Sequence, residues 1–133
     1  MRLVRTLLAG IFSVLALAVT PMAANAATQS LPAPNGYFYL CADYNLGGPC
    51  AHWGGYSLNT GSYGTTALSA WNNGYATSSG LDDVLVYHDV NFTGATRGIY
   101  RSAILSDLRM YRYDGQTYTL AKNIRSFRWV NLP

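Results

Sequence analysis

The chain has 133 residues and a formal net charge of +3, and only 11% of its residues are charged, against about 25% in typical soluble domains. This length predicts a single domain. All six acidic residues are aspartate, so a mechanism with paired carboxylates would have to use aspartate alone. The sequence also has neither a G-x-S-x-G nucleophile motif nor a glycine-rich phosphate loop. We therefore predict that the protein is not an enzyme.

The first 26 residues have the order of a secretory signal peptide. Residues 1–5 are basic, residues 7–19 are almost entirely apolar, and Ala24-Asn25-Ala26 supplies the small residues of a cleavage site. The apolar stretch is shorter than the roughly 20 residues that a membrane-spanning helix needs. We predict cleavage after Ala26 and a secreted, extracellular domain of residues 27–133, with no membrane association after cleavage.

Removal of Arg2 and Arg5 would leave a nearly balanced chain, and nucleic-acid binding needs a concentrated basic surface. We therefore expect no nucleic-acid partner. Charge is nevertheless divided along the sequence, since residues 27–96 contain four Asp and no Lys or Arg, whereas residues 97–133 contain seven basic residues and two Asp. Two differently charged faces are the usual outcome, and such a division is also able to orient a protein on a charged partner.

The predicted elements follow the composition of a β protein. Residues 27–35 contain two prolines and predict a loose arm. Beyond them, Tyr, Thr and Val alternate with glycine and no helical period appears. Candidate strands are residues 37–42, 52–53 with their neighbours, 84–87, 98–100, 108–113 and 124–130, with one helical turn at 102–108 and loops at 54–66 and 72–80.

Cys41 and Cys50 are the only cysteines, and secretion favours a disulfide between them. Closing so short a loop is worth roughly 2.5–3 kcal/mol in the chain-entropy model. The bridge is interpreted as a structural staple, with a braced recognition loop as the compatible alternative. A zinc site that adds His52 and His88 is disfavoured, because the spacing matches no standard zinc arrangement.

An internal repeat organises the chain. Residues 40–48 and 86–94 both read apolar-x-x-Asp-x-Asn-(Leu/Phe)-x-Gly at a constant offset. In each copy we expect a strand to enter a tight hairpin, in which Asp and Asn side chains bind backbone N–H groups and glycine takes a conformation that other residues resist. A serine and then an aromatic segment follow each copy. The residues concerned are Asp43, Asn45, Gly48 and Ser69 in the first half, and Asp89, Asn91, Gly94 and Ser126 in the second.

This pattern resembles the Greek-key motif of the βγ-crystallin superfamily. More narrowly, the chain is similar to small secreted actinobacterial proteins grouped with the metalloproteinase inhibitors of streptomycetes. The resemblance implies an all-β sandwich of two Greek-key motifs, at about residues 36–75 and 82–133. The narrower resemblance is carried by Gly36-Tyr37-Phe38-Tyr39, Asp43-Tyr44-Asn45, Trp71-Asn72-Asn73-Gly74-Tyr75, Asp82-Asp83-Val84, Asn91-Phe92-Thr93-Gly94 and Arg128-Trp129-Val130-Asn131-Leu132-Pro133.

The resemblance also indicates where calcium would bind, and the chain departs from that pattern. Many members end each motif with two Asp or Asn, two variable residues, Ser or Thr, and Ser, whereas residues 64–69 and 121–126 keep only the final serine. Calcium needs six to eight oxygen ligands, usually including carboxylates, and Lys122 and Arg125 add positive charge to the second loop. We expect no cofactor and no calcium in these loops, with Asp82-Asp83 as an alternative acidic pair.

Members of this superfamily include calcium binders, protease inhibitors and antimicrobial toxins. The narrower resemblance implies a secreted inhibitor of an extracellular protease, with a metalloprotease as the expected target. A rigid scaffold that holds one loop extended binds tightly, because little ordering remains to be done. The candidate reactive loops are residues 54–66, residues 72–80 and the disulfide-braced residues 43–49, and the sequence does not choose among them.

Two alternatives remain open at this point. One is a killer-toxin-like antimicrobial, and the other is a cell-surface or polysaccharide-binding domain without inhibitory activity. Tyr56, Tyr63 and Tyr75 lie in the glycine-rich loops, where binding residues are common. Packing within a small β domain accounts for most of the other tyrosines.

Overall fold

The computed structural model describes residues 31–133, so the predicted signal peptide at residues 1–26 lies outside the described residues. Short strands and turns make up the described range, together with one brief α-helix, α1, at Ser62–Thr66, and no helix there is long and apolar enough to cross a membrane. Single 3₁₀ turns lie at Tyr44–Leu46 and Leu108–Met110. The strands are β1 Tyr37–Cys41, β2 Cys50–Trp53, β3 Ser69–Asn73, β4 Asp83–Tyr87, β5 Thr96–Ile99, β6 Ile104–Leu105 and β7 Ser126–Val130.

The strands form two antiparallel sheets with the orders β2-β1-β3-β6 and β5-β4-β7. The two halves of the chain exchange their third strands. β6, from the second half, pairs with β3 of the first sheet, and Ser57, from the first half, forms an isolated antiparallel bridge with Phe127 of β7. This exchange confirms the predicted all-β sandwich of two Greek-key motifs.

The core lies between the sheets and follows the two-residue period of the strands. Phe38 and Leu40 on β1 are at most 1% exposed, and Val84 and Val86 on β4 are fully buried. Phe38 packs against Phe127 of the opposite sheet, with ring centroids 4.8 Å apart. The neighbouring β1 side chains, including Tyr37, therefore point to the outer face of the first sheet.

Several predicted elements differ from the structure. The strand predicted at 108–113 is wrong, because the Asp107 carboxylate accepts hydrogen bonds from the backbone N–H and guanidinium of Arg109 and caps a 3₁₀ turn there. The helical turn predicted at 102–108 is replaced mainly by β6, which pairs with β3. The loop predicted at 54–66 ends in α1.

The arm that the sequence predicts to be loose is hydrogen-bonded to Asn73 of β3 from Ala33 onward. The backbone N–H groups of Asn35 and Gly36 both donate to the carbonyl of Asn73, at 3.0 and 2.9 Å. The side-chain amide of Asn73 donates to the carbonyl of Ala33 at 3.2 Å. Asn72 and Asn73, which the sequence analysis assigned to a loop, are buried residues of β3.

Candidate functional site

The two repeated hairpins have the same backbone geometry. Asn45 and Leu46 have φ values of 55° and 59°, and Asn91 and Phe92 have values of 59° and 58°. Gly94 also has a positive φ, of 80°, and a Cβ at this position would collide with the Asp89 carboxylate. A left-handed turn of this kind is tolerated by asparagine and favoured by glycine.

The two motif serines tie each hairpin to its sheet. Ser69 Oγ donates to the carbonyl of Asp43 at 2.6 Å and accepts from the N–H of Leu46 at 2.9 Å. Ser126 Oγ makes the equivalent bonds to the carbonyl of Asp89, at 2.6 Å, and the N–H of Phe92, at 3.0 Å. The repeat residues therefore lie in two separate clusters, and their contacts give them a scaffold role.

The disulfide joins Cys41 and Cys50, as the sequence predicted. These residues are directly opposite each other on β1 and β2, with Cα atoms 4.1 Å apart. The equivalent partners in the second half are Tyr87 and Thr96 on β4 and β5. The disulfide thus occupies the position where the second half has a buried tyrosine.

Asp82 and Asp83 accept hydrogen bonds that tie three segments to the start of β4. Asp83 accepts from the N–H of Arg101 at 2.7 Å and from the N–H of Leu132 at 3.1 Å. Asp82 accepts from the N–H of Thr77 at 3.3 Å, and its carboxylate lies 3.4 Å from the Arg101 guanidinium. No group of three or more His, Cys, Asp or Glu able to hold a metal ion occurs among residues 31–133.

The first loop that the resemblance relates to calcium begins at Gly64. This glycine is buried, and a Cβ there would collide with the carbonyl of Ile124 and the hydroxyl of Thr60. An aspartate or asparagine therefore does not fit at the position where the calcium-binding pattern requires one.

Local contacts account for the two histidines and for one buried tyrosine. His88 Nδ1 lies 3.0 Å from the Asp89 carboxylate, and the His88 ring packs against Tyr118 at 4.8 Å. His52 packs against Tyr37 at 4.7 Å. Burial raises the pKa of Tyr113, whose hydroxyl donates to a backbone carbonyl.

Two of the three candidate loops are a tight hairpin and a strand end followed by a turn, and residues 75–79 of the latter are exposed. Residues 43–49 form the tight hairpin with left-handed turns, so they do not present an extended backbone. Residues 72–80 begin inside β3, where the Asn72 amide donates to the carbonyls of Asp82 and Ile99, both at 3.0 Å. The remainder closes in a turn from Gly80 to Thr77.

The third candidate contains a segment, residues 54–60, that is fixed to the scaffold yet exposes two large apolar side chains. We call residues 54–60 the display segment. Tyr56 and Leu58 are 64% and 47% exposed, whereas Ser57 and Thr60 between and after them are 8% and 3% exposed. Burial alternates over residues 56–58 as in a β-strand at a sheet edge, and the alternation ends at Asn59, which is exposed beside the buried Thr60.

Hydrogen bonds to distant residues hold four residues of the display segment. Ser57 exchanges two backbone hydrogen bonds of 3.0 Å with Phe127 of β7, and Thr60 N–H donates to the carbonyl of Arg125 at 2.9 Å. The other two residues accept hydrogen bonds through their carbonyls. The indole N–H of Trp129 donates to Gly55 at 3.3 Å, and the backbone N–H of Asn91, in the second hairpin, donates to Leu58 at 2.9 Å.

The outer edge of the display segment is open at Tyr56. Because Ser57 directs both of its backbone groups toward β7, the backbone groups of Tyr56 point the other way. Among the described residues, neither the N–H nor the C=O of Tyr56 has a hydrogen-bond partner. The sequence analysis placed Tyr56 in a loop but gave no sign of these anchors, since they come from residues far along the chain.

The other two loop tyrosines have different surroundings. Tyr63, on α1, packs against Trp53 with ring centroids 6.3 Å apart. Tyr75 is 57% exposed and lies against Gly36, where a Cβ would be 2.6 Å from the tyrosine ring. A shallow cavity of about 260 Å³ lies between Tyr75, Trp129 and three glycines.

No protein-family model matches this sequence, and no curated protein matches it either. Solved structures do match the fold. One of them, described in work on the evolution of the eye-lens βγ-crystallin domain fold, aligns with a TM-score of 0.59 at 18% identity. The alignment covers 78% of this chain and 93% of that one. A βγ-crystallin from an archaeon aligns with a TM-score of 0.52 at 17% identity, covering 71% and 96%.

A third solved structure is IPSE alpha-1, described as an IgE-binding crystallin. It aligns with a TM-score of 0.51 at 14% identity, covering 73% of this chain and 94% of that one. Likeness at these identities establishes the fold and not an activity. The chain therefore has the βγ-crystallin fold, as the sequence repeat predicted.

Proposed function

We propose that the domain is a secreted inhibitor of an extracellular metalloprotease and that the display segment, residues 54–60, enters the protease cleft. The observation that carries this proposal is a backbone edge fixed by the scaffold, with Tyr56 and Leu58 exposed and the backbone groups of Tyr56 free. An extended peptide binds a partner through such free backbone groups, while alternate side chains fill pockets. The choice of a metalloprotease follows the resemblance to the streptomycete inhibitors.

The anchors explain how such a segment inhibits rather than serves as a substrate. Ser57 and Thr60 are bonded to β7 and to the residue before it, and Gly55 is bonded to Trp129. Little conformational entropy is lost when an already ordered segment binds. If a peptide bond in the segment were cleaved, these bonds would keep both new ends in place and slow the release of product.

Secretion is part of the proposal and is supported by the disulfide, because disulfides persist mainly in oxidising compartments. The fold itself is compatible with protein recognition, for which the IgE-binding crystallin provides an example. In this proposal the domain is not an enzyme and needs no metal or other cofactor, and the protease is its partner.

The test is a titration of oxidised residues 27–133 against thermolysin-type, subtilisin-type and papain-type proteases. We expect stoichiometric inhibition of the metalloprotease. Tyr56→Ala and Leu58→Ala should each weaken inhibition at least about tenfold, as expected for an exposed anchor that becomes buried in an interface. Two residues with similar exposure elsewhere on the surface serve as matched controls, Tyr75 and Leu81, at 57% and 51% exposure in the wild type. Tyr75→Ala and Leu81→Ala should each change the strength of inhibition less than about twofold.

The outcomes separate the function from the choice of segment. Loss of inhibition in the Tyr75 variant, with the Tyr56 and Leu58 variants unaffected, would place the reactive loop at residues 72–80. Inhibition of no protease by the wild-type protein at micromolar concentration would remove the proposed function and leave the fold unaffected.

Outward-facing rings on the first sheet favour a second candidate function, polysaccharide binding. Tyr37 is 38% exposed and lies 4.7 Å from His52, and Tyr39 stacks on Trp71 at 5.4 Å. Tyrosine rings offer an apolar face and a polar tip, which suit a sugar ring. Co-sedimentation with insoluble chitin and cellulose tests this candidate: Tyr37→Ala should reduce binding and Tyr100→Ala should not.

The antimicrobial alternative stays a prediction from the resemblance. A growth-inhibition assay on bacterial and fungal cells tests it, since an inhibitor acts on purified protease whereas a toxin needs target cells.

A further inference from the structure

A positive charge is held over two aromatic rings beside the display segment. The guanidinium carbon of Arg128 lies 5.7 Å from the ring centroids of both Tyr87 and Phe92. Phe92 packs edge-to-face against Tyr56, with centroids 5.7 Å apart. One aromatic ring therefore connects the guanidinium to an exposed side chain of the display segment.

A second arginine lies at the other end of the same segment. The carbonyl of Arg125 accepts the hydrogen bond from Thr60 N–H at 2.9 Å, and the Arg125 side chain is exposed. Arg125 and Arg128 thus flank the display segment along β7 and the residue before it. We call these two residues the cationic flank.

The cationic flank is not neutralised within the described residues. Three other arginines have carboxylate partners: Arg97 with Asp114, Arg101 with Asp82, and Arg109 with Asp107. Neither Arg125 nor Arg128 forms a salt bridge within residues 31–133. The acid of the nearby hairpin, Asp89, lies 3.0 Å from His88.

This arrangement is well suited to binding a carboxylate. A guanidinium presents a rigid fork of N–H donors that matches carboxylate geometry, and stacking on rings restrains it before a partner arrives. Tyrosine and arginine are also the side chains over-represented among residues that dominate binding energy in protein interfaces. A restrained cation next to an exposed aromatic residue therefore forms a preorganised binding site for a carboxylate of a partner protein.

We propose that the cationic flank, with Arg128 as its main contact, docks on an acidic rim beside the cleft of the target protease and accelerates association. This inference rests on the proposed inhibitory function and names the charge of the surface that the partner must present. Attraction between opposite charges raises association rates by factors of about 10 to 1,000, and the effect falls steeply with ionic strength.

The experiment measures association rate constants by stopped flow, using the protease that the wild-type protein inhibits. Wild type, Arg128→Gln and Arg112→Gln are compared at about 20 mM and about 500 mM salt, because the Debye length changes from roughly 20 Å to 4 Å over this range. Arg112 is the matched control, because its side chain is also exposed and forms no salt bridge within the described residues. Its carbonyl accepts a hydrogen bond from Arg97 of β5, so Arg112 lies at the opposite edge of the second sheet from β7.

We expect Arg128→Gln to slow association about five- to tenfold at low salt and less than twofold at high salt. Arg112→Gln should stay within twofold of wild type at both. Equal slowing in both variants would indicate an effect of net charge and would overturn the local docking inference, as would an unchanged rate in Arg128→Gln. Both results leave inhibition itself standing, whereas failure of the wild-type protein to inhibit any protease removes both proposals.

Discussion

Replacement of Ser126 by alanine removes the hydroxyl that ties the second hairpin to its sheet. Ser126 is fully buried, and its Oγ bonds the Asp89 carbonyl at 2.6 Å and the Phe92 N–H at 3.0 Å. Leaving a buried polar group without a partner costs about 1–3 kcal/mol. Two such groups are left, and the hairpin is only part-buried, so water reaches some of the vacated positions. We therefore expect the free energy of unfolding to fall by about 2–4 kcal/mol.

Urea denaturation followed by tryptophan fluorescence measures this change. Ser69→Ala should lose a similar amount, since Ser69 makes the equivalent bonds in the first hairpin. The two losses should add to within about 0.5 kcal/mol in the double variant, because the hairpins have separate contacts. Ser78→Ala, at an exposed serine, is the control and should change stability by less than about 0.5 kcal/mol. A loss below about 1 kcal/mol in Ser126→Ala would refute the reasoning.

Three further predictions follow from the disulfide, the repeat and the core. Replacing Cys41 and Cys50 by alanine should lower the free energy of unfolding by about 2.7 kcal/mol, measured by urea denaturation. Tyr87→Cys with Thr96→Cys should form a second disulfide on oxidative folding, because these residues occupy the equivalent register pair; free thiols detected by mass spectrometry would count against it. Burial raises the pKa of Tyr113 above the ordinary 10.0. Because the unfolded phenol ionises near 10.0 while the folded one keeps its proton, stability is lost as pH rises beyond that value. Tyr113→Phe should flatten this decline between about pH 10 and 11.5.

The parts of the fold that were predictable are those encoded over short stretches of sequence. The spacing of Asp89, Asn91 and Gly94 specifies a left-handed hairpin through local turn chemistry. Phe38 and Leu40 alternate with outward residues and so identify β1. These local signals, which occur in both halves, carried the resemblance to the βγ-crystallin superfamily from which the sandwich was predicted.

Elements that depend on distant partners were not predictable in this way. β6 has only two residues, Ile104 and Leu105, and becomes a strand because β3 supplies its hydrogen-bond partners. Conversely, the alternating residues 108–113 read as a strand, but Asp107 caps a 3₁₀ turn at their start. Both errors arise from the segment where the second half crosses to the other sheet.

The same limit applies to the candidate site. The disulfide was predictable, because a chain with two cysteines allows a single intramolecular pairing. The loop that contains the display segment, residues 54–66, was only one of three candidates, since Phe127, Arg125 and Trp129 fix the segment from the end of the chain. Its alternating burial and open edge required the tertiary structure.

The most direct test is a titration of a thermolysin-type metalloprotease with the oxidised protein, residues 27–133. If the display segment occupies the cleft, protease activity should fall linearly and reach zero near one equivalent, and the Leu58→Ala variant should need a large excess. Full protease activity at a tenfold molar excess of the wild-type protein, at micromolar concentration, would contradict the proposed inhibition.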